Sequence, residues 1–294
     1  MPTTSPLVCR MHLAQVLLAL RHEAGLTHEQ LAQTTGLPRQ TLSRLENADR
    51  KPNLAAVIKL LRALGVPQGD SRHQEIIDLA MEAAEAGWWD HRDHAAMGDR
   101  QRVVANIEHG SDAIREYQPF LVAGLAQTEE YMRCRAEAAG GQHSEAIVAA
   151  RLRRQQLLAA PDAPAYSLVI EEQVVRRLAV PPSVMLGQLQ HLLKLAEGVI
   201  ALQVLPVDAR LGEGFSPRSP FAIYEHGDAP TVVVVDTVYE DLIDASAETA
   251  TAYSTMFDRL SRAAMSVEDS IRFIREAAAR LTVETGLGST PNGS

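Results

Sequence analysis

THEQLAQTTGLPRQTLSRLENADRKP, residues 27–52, decides the N-terminal fold. Thr27 is a good N-cap, and Gln30 stands three positions on, the spacing of a capping box, so a helix is expected to begin at His28. Gly36 can supply the left-handed turn that ends this short helix, HEQLAQTT. Pro38 suits the first position of the next helix, where its missing N–H would have no partner anyway. Over residues 38–47, a helical period places Gln40, Ser43, Arg44 and Asn47 on one face, flanked by Arg39 and Thr41, with Leu42 and Leu45 opposite. Two short helices joined by a tight glycine-containing turn form the helix-turn-helix pattern.

The flanking residues agree. Leu13, Val16, Leu17 and Leu20 fall at helical spacing and predict a helix over 11–24, with Gly25 as its stop. Ala32 is small, as a close helix crossing needs. The apolar side of helix 38–47 can pack on the two preceding helices. Its polar side offers Arg and Gln, which pair bidentately with guanine and adenine edges in the major groove.

Charge supports the same reading. The 294-residue chain has a formal net charge of −9, yet residues 1–66 carry eight Lys/Arg against four Asp/Glu, so the remainder carries −13. A basic tip on an acidic body is expected to approach a polyanion in one orientation. The 46% apolar content predicts a packed core. No run is long enough for a membrane helix, and MPTTSPLVCRMH lacks the order of a secretory signal. Cys9 and Cys134 read as free thiols, which points to the cytoplasm, with nucleoid association implied by the DNA partner.

Gly65, Pro67 and Gly69 mark an expected domain edge, giving domains at 1–68 and 69–282 and a flexible tail at 283–294. The second domain opens with a helical stripe, Ile76, Ile77, Leu79, Ala80 and Ala83, read as a connector, and then Trp88–Trp89, read as a packing anchor. Strands are predicted at 167–170, 201–207, 220–225 and 231–238, and helices at 128–139, 144–159, 171–178, 183–197, 246–263 and 266–281. The fold class is α+β: an N-terminal all-α five-helix helix-turn-helix domain followed by a larger mixed domain with a modest sheet.

Catalytic signals are sparse. WWDHRDH gathers Asp90, His91, Asp93 and His94, but it reads as a polar loop and not as a metal site. LGEGF lacks a phosphate-loop lysine, and no nucleophile elbow or dinucleotide fingerprint occurs. No catalytic residue, metal or cofactor is assigned, and the chain is expected not to be an enzyme. RLRRQQLL (151–158) is basic but begins a helix in an acidic domain; a solvated face or internal ion pairs explain it as well as nucleic acid does.

LTHEQLAQTTGLPRQTLSRLENADRKPNLAAVIKLLRALGV resembles the Cro/C1-type (xenobiotic-response-element) helix-turn-helix family over residues 12–66. The resemblance implies five short helices, with LAAVIKLLRALGV supplying the fourth and the fifth. It implies base contacts by Arg39, Gln40, Ser43 and Arg44, and phosphate contacts by His28, Asn47, Arg50 and Lys51. It also implies an internal ion pair, Arg21–Glu46. The family usually has Gly where Ala48 stands, so Asn47 is expected to take the left-handed turn instead. YQPFLVAGLAQTEEYMR, RLRRQQLL, LVIEEQVVRRL, QLQHLLKLAEGVIALQVLP and SPFAIYE resemble an uncharacterised C-terminal domain of actinobacterial, WhiJ-like regulators. Residues 123–128 read AGLAQT where that family has PGLLQT. These resemblances imply a transcriptional regulator with double-stranded DNA as partner, acting as a homodimer on a palindromic operator. They imply a small protein partner encoded nearby, or a small-molecule ligand, for the C-terminal domain. The rival reading is an antitoxin-like module that neutralises a small protein, with DNA binding serving autoregulation.

Overall fold

The computed structural model describes residues 4–91, 97–138 and 144–286. The chain divides into two compact units. The first holds the described residues through His91 together with Arg102–Ser111 and His226–Pro230; the second holds Asp112–Glu225, Thr231 onward and the residues up to Gln101 of the helix that straddles them.

In the first unit the helices are α1 (Pro6–Glu23), α2 (His28–Thr35), α3 (Arg39–Glu46), α4 (Leu54–Ala63) and α5 (Ser71–Ala84). Helix α1 starts five residues before the expected position. Ser5 caps it, its Oγ accepting from Val8 N at 3.1 Å while donating to Asn106 Oδ1 at 2.9 Å, and Pro6 occupies the first turn. Helix α2 has the expected bounds: the Thr27–Gln30 capping box is formed and Gly36 ends the helix at φ 69°. Asn53 caps α4 through Ala56 N at 3.1 Å.

Residues 54–66 give one helix, not two. The fifth helix is α5, beyond the expected edge at residue 68. Its Ile76, Ile77 and Ala80 join Leu13, Leu17, Leu31, Leu42, Leu45, Val57 and Leu61 in one core. The apolar stripe read as a connector is therefore a wall of the N-terminal unit, because its partners are α1 and α4. Trp89, 1% exposed, packs edge-on to Trp88 and against His109, with centroids 5.9 and 5.2 Å apart. The helix α6 (Asp99–Glu108) precedes His109.

The second unit is built on a six-stranded sheet in the order β3-β2-β1-β4-β5-β6. The strands are β1 (Ala113–Gln118), β2 (Ala165–Glu171), β3 (Ile200–Leu205), β4 (Phe221–His226), β5 (Ala229–Val235) and β6 (Leu242–Asp244). Strand β1 pairs parallel with β2, β2 parallel with β3, and β1 antiparallel with β4. The helices are α7 (Glu129–Ala138), α8 (Ser144–Gln155), α9 (Glu172–Arg176), α10 (Pro182–Ala196), α11 (Ala247–Ala263) and α12 (Val267–Thr285). Phe257 and Leu260 of α11 seal one face of the sheet over Tyr117, Val169, Phe221, Ile223 and Val233. The expected tail begins too early, because α12 runs through residues 283–285 and is stopped by Gly286 at φ 66°; residues 287–294 lie outside the described residues.

Candidate nucleic-acid interface

The N-terminal unit presents α3. Leu42 (1% exposed) and Leu45 (4%) anchor it in the core. On the opposite side Arg39, Gln40 and Arg44 are exposed and Ser43 is half-buried. Among the described residues, the side chains of Arg39, Gln40 and Arg44 have no intramolecular hydrogen bond or ion pair. Asn47 and Arg50 are exposed just beyond the helix. Of the eight residues expected to touch DNA, six lie on α3 or just beyond it, Ser43 half-buried and the other five exposed.

The last residue of α3 fixes its orientation. Glu46 accepts from Arg21 Nε at 2.8 Å and Arg21 Nη2 at 2.9 Å, a fork that ties α3 to the end of α1. Arg21 Nη1 also donates to Leu26 O at 2.9 Å. Both side chains are nearly buried, at 10% and 7% exposure. The hydrogen bonds to Glu46 raise the Arg21 pKa, against the opposing effect of its burial.

Two residues expected at the phosphates have intramolecular partners. His28 Nε2 lies 2.9 Å from Glu46 Oε2, so the imidazole at the start of α2 completes the Arg21–Glu46 cluster. Lys51 Nζ donates to Glu85 O at 3.0 Å and Asp90 Oδ2 at 3.2 Å, both within the same unit. The partners of Lys51 lie 34 and 39 residues downstream, beyond the reach of any local pattern. His28 had a nearer signal, since the same Glu46 was already expected to pair with Arg21.

The turn after α3 also differs from expectation. Asn47 has φ −101°, and Ala48 takes the left-handed position at φ 59°. Ala48 N donates to Leu45 O at 3.3 Å and Asp49 N to Arg44 O at 2.9 Å, the two bonds of a Schellman motif. Among the described residues Ala48 is the only non-glycine residue with positive φ. Asn47 thereby keeps a negative φ, and its exposed side chain has no hydrogen bond among the described residues.

In the WWDHRDH stretch Asp90 is engaged with Lys51, and Asp93 and His94 lie outside the described residues. Among the described residues no group of three His, Cys, Asp or Glu could hold a metal ion, and no helix is long and apolar enough to cross a membrane.

A short α2, a tight turn and an α3 with a solvent-facing Arg/Gln surface define a helix-turn-helix DNA-binding unit, the equipment of a DNA-binding regulator. Residues 12–74 match the model of a helix-turn-helix domain. Residues 101–276 match that of a domain of unknown function, DUF5753, and the chain belongs to that family. No curated protein and no solved structure matches the chain.

Proposed function

We propose that the protein is a sequence-specific transcriptional regulator, not an enzyme, that inserts α3 into the major groove. The carrying observation is the face formed by Arg39, Gln40 and Arg44, whose side chains are exposed and have no partner among the described residues, on a helix tied to α1 through Glu46. One such face spans too few base pairs to specify a site. Two of them in a homodimer, spaced by about 34 Å, read a palindrome. The second unit receives the signal, from a small ligand or a protein partner. Genome-wide footprinting of the tagged protein tests this reading. Sharp palindromic peaks that vanish in Arg44→Ala are expected; peaks insensitive to Arg44, or none, would overturn it.

An antitoxin-like role is the second reading. Val238 (88% exposed) and Tyr239 (97%) just before β6, and Leu242 (64%) on it, are exposed apolar side chains near the edge of the sheet among the described residues, the kind of surface a protein partner covers. Co-purification of a small protein encoded nearby, lost in Tyr239→Asp, would favour it.

A further inference from the structure

Three stretches of the second unit that DNA binding leaves unused meet at one place: AGLAQT (123–128), RLRRQQLL (151–158) and QLQHLLKL (188–195). The first forms the loop that follows the carboxyl end of β1. The other two clamp it. Gln188, fully buried, donates to Ala126 O and accepts from Thr128 N, each at 2.7 Å. Gln155 Nε2 donates to Gln127 O at 2.7 Å and Gly124 O at 3.2 Å. Gln127 is itself buried and donates to Val122 O at 2.7 Å, which leaves its Oε1 turned toward α8.

Arg151 of α8 meets that oxygen at 3.2 Å. Among the described residues this neutral amide is its only hydrogen-bond partner, and its buried Nε has none. The surroundings are cationic. Burial, and then the like charges of Arg154, Arg100 and Arg135, pull the Arg151 pKa down to about 10, with Asp236 as the one opposing influence. Arg154 Nη2 would lie 3.8 Å from a Cβ placed on Gly124, so its guanidinium reaches the same loop. Arg100 binds Asp241 at 2.7 Å and Asp236 at 3.5 Å, and its side chain is 46% exposed, which puts it at the rim. Asp236 follows β5 and lies 3.4 Å from Gln118, the last residue of β1. In sheets with parallel strands, ligands collect outside carboxyl ends such as these, where neighbouring connections diverge.

Arg151 is half-buried and, among the described residues, makes no direct ion pair, and a guanidinium so placed is costly to desolvate unless an anion joins it. An oxyanion could take two parallel N–H donors from Arg151 Nε and Nη. We propose that Arg151, with Arg154 and Arg100, binds the phosphoryl or carboxylate group of a small anionic ligand, between the Gly124–Gln127 loop and Asp236. A small anion suits the site better than a nucleic acid, because residues 67–294 carry −13 and repel a polyanion. The signalling role of such a ligand rests on the regulatory reading above; the binding itself does not.

Isothermal titration of the full chain, without DNA, tests the proposal. Inorganic phosphate and, separately, succinate are titrated into chloride buffer of matched ionic strength. One or the other is expected to bind saturably, one per chain, and the pair distinguishes a phosphoryl from a carboxylate ligand. Arg151→Gln should weaken it about tenfold or more, and Arg100→Gln less, as loss of charge-assisted bonds predicts. The exposed Arg210→Gln should change nothing. If Arg151→Gln does not fold, Arg151→Lys gives the same readout, because it keeps the charge and loses the fork. Saturable binding of neither anion, or equal affinity in all variants, would overturn the site. Failure here leaves the footprinting result standing, and the reverse holds.

Discussion

Arg44 and Arg151 are the same side chain in opposite surroundings. Arg44 stands on the exposed face of α3 with no intramolecular partner among the described residues, in a basic N-terminal segment. Arg151 on α8 has one amide as its hydrogen-bond partner among the described residues, with three like charges and Asp236 near it, in an acidic remainder. Both are basic residues at helical spacing, and the sequence treats them alike. Their difference lies in what neutralises them. An outward cation in water is ready for a phosphate or a base edge at little desolvation cost, whereas an inward one selects a small anion that can follow it. Arg21 supplies the third case, an inward cation already neutralised by Glu46.

The largest expected effect breaks that third case. Glu46→Ala strands Arg21, at 10% exposure, and should cost about 3–5 kcal/mol of stability, read by urea unfolding. A loss under about 1 kcal/mol would mean that Arg21 escapes to water. Next, Arg44→Ala should weaken binding to the footprinted operator by about 1–3 kcal/mol while leaving the urea midpoint unchanged. Ala48→Gly removes a left-handed alanine and should stabilise the N-terminal unit by up to about 1 kcal/mol, offset in part by the freer unfolded chain. A destabilised Ala48→Gly would contradict the strained turn. The smallest effect belongs to Lys51→Ala. Its pair with Asp90 is 43% and 32% exposed, so about 0–1 kcal/mol is expected in stability, with operator affinity unchanged. A clear fall in affinity for every duplex would instead return Lys51 to the phosphates.

The N-terminal unit was legible because its signals are local. Thr27, Gln30, Gly36 and Leu42 each specify structure through neighbours within a few residues, and the helices follow. The central strand β1 was not legible. It reads AIREYQ, and its charges find partners far away in sequence: Arg115 pairs with Glu225 at 2.7 Å and Ser254 Oγ at 2.8 Å, and Glu116 accepts from the Tyr166 hydroxyl at 2.6 Å. Strands β2, β3, β4 and β5, rich in β-branched and apolar residues, carried their own signal. In the candidate site the outward residues of α3 followed from periodicity, while the fates of His28 and Lys51 depended on tertiary partners. The motif RLRRQQLL offered only charge; which arginine turns inward depends on Gln127 and Gly124, contributed by another loop.

Equilibrium binding of the full chain to two duplexes, the footprinted operator and a scrambled copy, tests the central claim most directly when wild type and Arg44→Ala are compared. The account predicts that Arg44→Ala loses about 1–3 kcal/mol on the operator and nearly nothing on the scrambled duplex. Equal losses on both would make Arg44 a phosphate contact, and no loss on either would contradict α3 as the reading helix.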